Sequence, residues 1–374
     1  MSGTPPHDPL SESPHEPVPR PGSPRVVDST QLALGALVFV ATLVLLLGLA
    51  SVWTRGGGAP GASGSGQAVG SPSPPPTVSA SPTEPPTASA ASTSPSPSLP
   101  SSSAAATDAP VAVLVGAGDI GDCGTQEDTE TAALLDGIEG TVFTAGDNAY
   151  ENGTAKEFAT CYDETWGRHK ERTRPAPGNH DWNTSGLSGY LGYFGDAAKG
   201  ADGHSWYSYD LGAWHVIVLD SECAKVGGCG TDSPQGRWLA ADLAASDARC
   251  TVAIWHKPRF TSGEHGNDRS VAPFWTALYR AGADVVINGH DHDYERFAPQ
   301  DPTAREDRDR GIREFVVGTG GTPLRTFERP VANSELRAAV VHGVFKLTLR
   351  EGAYDWDFVP VHGEFHDGGT AFCH

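Results

Sequence analysis

From residue 111 onward the chain alternates short β-branched apolar runs with stretches in which apolar residues recur every three or four positions. The runs are VAVLVGAG (111–118), TVFTAG (141–146), WHVIVLDS (214–221), CTVAIWH (250–256), DVVINGH (284–290), REFVVGTG (313–320) and HGVFKLTLR (342–350). Bounded by Gly, Asp or His, they predict buried strands. TETAALLDGIE (129–139) and QGRWLAADLAAS (235–246) fall between them with helical spacing. Strands alternating with helices predict an α/β fold, buried sheets covered by helices.

The first 110 residues follow other patterns. Residues 1–30 are rich in Pro, Ser and acidic groups without an apolar period, which predicts a disordered tail. Residues 31–53, QLALGALVFVATLVLLLGLASVW, contain no charged residue. As a helix this run reaches about 34 Å, enough for a hydrocarbon core of ~30 Å. The leader before it is long and carries only Arg20 and Arg25, unlike a short basic secretory leader. A single-pass transmembrane anchor is therefore expected, with cleavage near Ala50 and secretion as the alternative. The basic residues favour an inside N-terminus, which puts the folded part outside the cell. Residues 54–109, mostly Ser, Pro, Thr, Ala and Gly, read as a linker of roughly 40 Å as coil and about 170 Å as extended polyproline helix. The folded domain is expected over 110–374.

Charge narrows the partners. Residues 1–110 hold 3 Arg and 6 Asp or Glu, so 23 basic and 40 acidic residues remain for the folded part. That balance argues against a nucleic acid as main partner, because such binding depends on Lys and Arg displacing counterions. Small phosphate esters stay open if a metal supplies positive charge locally. All six cysteines lie after residue 110. Behind an export or membrane segment, an even number predicts disulfides; Cys223 and Cys229, flanking a short Gly-rich loop, are the expected pair. No CxxC occurs, which argues against a cysteine zinc site.

The candidate chemistry lies where the apolar runs stop. VAVLVGAG leads to Asp119, TVFTAG to Asp147, TRPAPG to Asn179 and His180, CTVAIW to His256, and DVVING to His290, Asp291 and His292. Ligands bind where loops leave the carboxyl ends of strands in sheets with parallel order, so one mouth would gather all five segments. The set offers oxygen and imidazole donors without thiolate, which suits Mn, Zn, Fe or Ni. Asp119, Asp147, Asn179, His256, His290 and His292 outnumber the needs of one ion. Two ions sharing a carboxylate fit better, a recurring arrangement for phosphoryl chemistry. Tyr150, three residues after Asp147, is either a packing residue or a phenolate ligand.

The blocks GDIG (118–121), GDNAY (146–150), GNHD (178–181), the isolated His256 and GHDHDYER (289–296) resemble the ordered motifs of the calcineurin-like metallophosphoesterases. The tyrosine narrows the resemblance to purple acid phosphatases, since most other members lack it. YSYDLGAWHVIVLDS, FTSGEHG and VVGTGG are similar to further segments of those enzymes. The resemblance spans about residues 111–374 and implies a four-layer sandwich, two mixed β-sheets flanked by helices. It assigns Asp119, Tyr150 and His292 to a ferric ion. It assigns Asn179, His256 and His290 to a divalent ion (Fe2+, Zn2+ or Mn2+), with Asp147 bridging. His180 and His265 match histidines beside the phosphate that position substrate or protonate the leaving group. Ala253 departs from the family's usual valine, and the absence of a β-sandwich between linker and catalytic part matches the short form.

A free phenol has a pKa near ~10, so a phenolate ligand at neutral or acidic pH requires a strongly charged ion. Iron(III) serves, and it also makes hydroxide available in acid. The expected activity is hydrolysis of phosphate monoesters by metal-bound hydroxide. The alternatives are a phosphodiesterase or nucleotidase with two divalent ions, and a non-catalytic surface binding protein. Trp182 and Tyr294, adjacent to these blocks, are candidate contacts for an organic leaving group, with ordinary packing an equal alternative.

Overall fold

A computed structural model describes residues 111–374. The predicted tail, anchor and linker lie outside the described residues, and among the described residues no helix is long and apolar enough to cross a membrane. Two mixed sheets make up the frame. The first runs β13-β12-β11-β1-β2-β3, from β1 (Ala112–Ala117), β2 (Thr141–Ala145), β3 (Thr173–Ala176), β11 (Gly343–Arg350), β12 (Ala353–Pro360) and β13 (Asp367–Phe372). The second runs β10-β8-β9-β7-β6-β5-β4, from β4 (Tyr207–Leu211), β5 (Trp214–Val218), β6 (Cys250–Ile254), β7 (Val285–Asn288), β8 (Tyr294–Phe297), β9 (Arg313–Val317) and β10 (Ser334–Ala338). β1, β2 and β3 are parallel, as are β5, β6, β7 and β9; the outer pairs are antiparallel.

Alternation within the strands builds the layers. In β6, Cys250, Val252 and Ile254 face the other sheet and pack with Leu114, Phe143, Phe315 and Phe345. Ala253 faces the opposite way, into a cluster with Leu239, Phe274 and Leu278, because successive strand side chains point to opposite faces. Those three residues belong to α3 (Pro234–Ala245) and α4 (Ala272–Ala281), which cover the second sheet. Ser233 accepts from the Gly236 amide and Pro234 occupies the first turn, fixing where α3 begins. The first sheet is covered by α1 (Glu127–Asp136) and α2 (Ser188–Phe194) with the segment around Tyr162 and Trp166. The seven predicted runs all become strands.

Cys223 pairs with Cys229 as expected, and Cys123–Cys161 and Cys250–Cys373 complete the disulfides. Tyr294 takes the packing alternative and not the leaving-group contact. It is fully buried on β8 and donates to Asp367 Oδ2 at 2.7 Å, out of reach of a leaving group.

Backbone bonds join the sheets where β1 and β9 end. Gly118 N–H donates to Val317 O at 3.0 Å, Gly320 N–H to Gly118 O at 2.9 Å, and Thr322 N–H to Asp119 O at 3.1 Å. The carboxyl ends of parallel strands from both sheets therefore share one mouth.

Candidate metal centre

Three residues leave their strands in the left-handed region: Asp119 (φ 60°), Asp147 (φ 50°) and His290 (φ 73°). Non-glycine residues rarely adopt it, and such strain collects at functional sites. Hydrogen bonds hold the turns: His290 N–H donates to Asp119 Oδ2 and His180 N–H to Asp147 Oδ1, each at 2.8 Å. The approach is so close that a Cβ on Gly178 would lie 2.2 Å from Asp147 Oδ1. Only glycine fits there.

The donor atoms then converge in two groups. His256 is buried, and its Nδ1 faces Ala145 O at 2.8 Å. A carbonyl only accepts, so Nδ1 carries the proton and the neutral ring has its lone pair on Nε2. That nitrogen looks at Asp147 Oδ2 (3.1 Å), Asn179 Oδ1 (3.2 Å) and His290 Nδ1 (3.1 Å). His292 repeats the pattern. Its Nδ1 donates to Pro323 O at 3.0 Å, leaving Nε2 to face Asp119 Oδ1 and Tyr150 Oη, both at 3.3 Å. Tyr150 Oη lies 2.8 Å from Asp119 Oδ1 and 3.1 Å from Asp147 Oδ2. Asp147 Oδ2 thus touches both groups.

Converging lone pairs repel unless a proton or a cation lies between them. With protein groups alone, burial works against charging His256, but the Asp147 carboxylate overrides it and lifts the pKa to about 9. Burial and the neighbouring His256 and His265 hold His290 far below the usual histidine range. A metal ion would take the place of the shared proton, and the neutral imidazole, carboxylate and amide oxygens present are ordinary ligands for one. Tyr150 adds a further constraint. Burial, then the Asp119 and Asp147 charges, push its phenol well above its ordinary pKa. Only strong positive charge beside the oxygen would release that proton.

His180 and His265 flank the donors. His180 Nδ1 donates to Glu151 O at 2.6 Å, and its ring lies 4.4 Å from that of Tyr150. Its Nε2 remains open, 3.9 Å from Asp147 Oδ2. The His265 ring stacks on His290 with centroids 4.1 Å apart. Its Nδ1 donates to Asp291 Oδ1 at 2.8 Å, and its Nε2 faces Arg325 Nη1 at 3.1 Å. Trp182 is half-buried with its indole N–H on Asp220, so it faces the loop after β5. The seven expected ligands, Asp119, Asp147, Tyr150, Asn179, His256, His290 and His292, meet at this mouth with His180 and His265 beside them.

Sequence reasoning missed the groups behind them. Buried Asp181 accepts from Gly178 N and Asn148 Nδ2 at 2.9 Å and from Asn148 N at 3.2 Å, tying the GDN turn to the GNHD turn. Burial, then the Asp147 charge, raise its pKa to about 7. The available signal was position alone: Asn148 and Asp181 sit inside the blocks beside predicted ligands.

Known proteins share the sequence pattern and the fold. The sequence profile of the calcineurin-like phosphoesterase family matches residues 106–294. An uncharacterized protein of Mycobacterium tuberculosis is 28% identical over 223 residues, 48% of this chain and 42% of the relative. Purple acid phosphatase 15 of Arabidopsis thaliana is 28% identical over 237 residues, 53% of this chain and 43% of the relative. The structure of a purple acid phosphatase from yellow lupin seeds superposes with a TM-score of 0.58 at 20% identity, covering 70% of this chain and 54% of the other. The chain spans less than half the length of the curated relatives it matches. Because the profile match takes in every donor from Asp119 to His292 and half of the chain, the protein belongs to the calcineurin-like phosphoesterase family and stands close to its purple acid phosphatases.

Proposed function

We propose that the protein is a binuclear metal-dependent phosphatase that hydrolyses phosphate monoesters in acid, as purple acid phosphatases do. Asp119, Tyr150 and His292 hold a ferric ion, Asn179, His256 and His290 hold a divalent one, and Asp147 serves both. The observation that carries this reading is the pair of lone-pair convergences around Asp147 Oδ2, one of them including the Tyr150 phenol. When bound, the ions supply a nucleophilic water at low pH and positive charge for the phosphoryl oxygens.

The chain's own side chains do the rest. His180 keeps Nε2 free while Glu151 O fixes Nδ1, so a charged His180 ring has a proton to hand to a departing alcohol from a defined atom. Asp181 and Asn148 keep the two turns in register. The apolar run 31–53 and the three disulfides support a domain held outside the cell by a membrane anchor.

The test uses the full chain loaded with iron and a divalent ion. A visible phenolate-to-iron band is expected in the wild type and absent from Tyr150→Phe, together with cleavage of a nitrophenyl monoester in preference to the bis-diester. A colourless iron-loaded wild type refutes the ferric site. Preference for the diester favours a phosphodiesterase, and no cleavage with Fe, Zn or Mn favours a binding protein.

A further inference from the structure

Arg325 follows β9 and lies in none of the blocks that carry the donors. Its position is nevertheless fixed from two sides. Its backbone N–H donates to His292 O at 2.9 Å, and the His292 ring donates to Pro323 O at 3.0 Å, so segment 323–325 is tied to the Asp119 group. Its Nη1 reaches His265 Nε2 at 3.1 Å, and the His265 ring stacks on His290 of the other group. The backbone is anchored to one half of the donor cluster and the guanidinium to a ring packed on the other half.

The proton pattern gives this contact a direction. Buried Asp291 accepts from His265 Nδ1 at 2.8 Å and from the His265 backbone N–H at 3.0 Å, while Thr261 Oγ1 donates to its other oxygen at 2.5 Å. His265 Nδ1 is therefore protonated and Nε2 accepts from Arg325. Among the described residues the only carboxylate pairing with Arg325 is Glu264 at 3.6 Å, and both side chains are exposed. Such a screened pair contributes little, so most of the guanidinium fork is open to a tetrahedral anion, whose oxygens it matches in pairs.

Resting on the phosphatase reading, we propose that Arg325 contacts the non-esterified oxygens of a phosphate dianion at the metal centre, with His265 and Asp291 as the positioning residues that orient it. His265, held by Asp291, then acts as a brace for the guanidinium.

Calorimetric titration of the metal-loaded full chain with inorganic phosphate tests this. Arg325→Ala should weaken phosphate binding about 10- to 100-fold with metal content unchanged. Arg325→Lys should recover only part of the loss, because the fork is gone. His265→Ala should raise KM and weaken phosphate more than it lowers kcat, and Arg308→Ala, at an exposed pair with Glu306, should change nothing. The inference is overturned by wild type that binds no phosphate, by Arg325→Ala binding within twofold of wild type or losing metal, or by His265→Ala lowering kcat with phosphate affinity intact. Wild type that binds phosphate through Arg325 yet cleaves no ester overturns the phosphatase reading alone.

Discussion

Asp181 illustrates how a residue without a place in the donor set governs it. Its carboxylate is the acceptor for Gly178 N and for both nitrogens of Asn148, at the two turns that present Asn179 and Asp147. Asp181→Asn replaces one accepting oxygen with a donor, leaving a buried N–H unanswered at a cost of about 1–3 kcal/mol. Through the displaced turns, metal affinity should fall about 10- to 100-fold. Competition with a chelator, alongside urea unfolding, measures both; unchanged metal affinity removes Asp181 from the account. The asymmetry in what the sequence revealed has the same origin. Asp119, Asp147, His256 and His290 were legible because each polar side chain directly follows an apolar run. Asp181 and Asn148 act on backbone N–H groups of another turn, and Arg325 acts through contacts distant in sequence. No local pattern records such pairings.

His215 marks a coupling between elements. It sits on β5, with Nδ1 3.0 Å from Asp210 Oδ1 on β4 and Nε2 2.8 Å from Asp242 Oδ2 on α3, while Ser208 Oγ donates to Asp242 Oδ1 at 2.5 Å. The bond to Asp242, opposed by burial, raises the His215 pKa above its ordinary 6.5. A raised folded-state pKa gives stability that is complete below about pH 6.5 and fades as pH climbs through the folded value. His215→Ala should therefore cost about 2 kcal/mol near pH 5.5 and clearly less near pH 9 in urea unfolding; a cost that grows with pH would contradict the ion-pair account. Element-level legibility was uneven for a geometric reason. The buried parallel strands announce themselves as continuous apolar runs. β12, reading AYDWDFVP, alternates aromatic with acidic residues, and β13 is glycine-rich at the sheet edge. Strand order was hidden too, since the first sheet joins β1–β3 to β11–β13 from the far end of the chain.

At the scale of the molecule, the two sheets are clamped at both ends. Cys250 opens β6 in the second sheet and Cys373 follows β13 in the first, so their disulfide joins the sheets and closes a loop with a sequence separation of 123. His256 leaves the other end of the same strand, about 20 Å away at the usual rise per residue, where the proposed ligands of both sheets meet. The pairing of Cys250 with Cys373 was not legible, because six cysteines fix no connectivity by themselves. Replacing both with alanine should cost about 5 kcal/mol on the chain-entropy account and lower Tm by on the order of 10–20 °C, while metal content stays at wild-type levels. Removing the metals should lower Tm independently, by loosening the opposite end, where only shared protons would then hold the Asp119, Asp147 and histidine groups together. Sites separated by more than about 10 Å without shared partners add to within roughly 0.5 kcal/mol. A cycle of four unfolding measurements, with and without the disulfide and with and without metal, should therefore close to that margin. A larger coupling would mean that β6 transmits strain between the clamps, and the metal centre would then depend on the oxidation state of a bond at the far end of the sandwich.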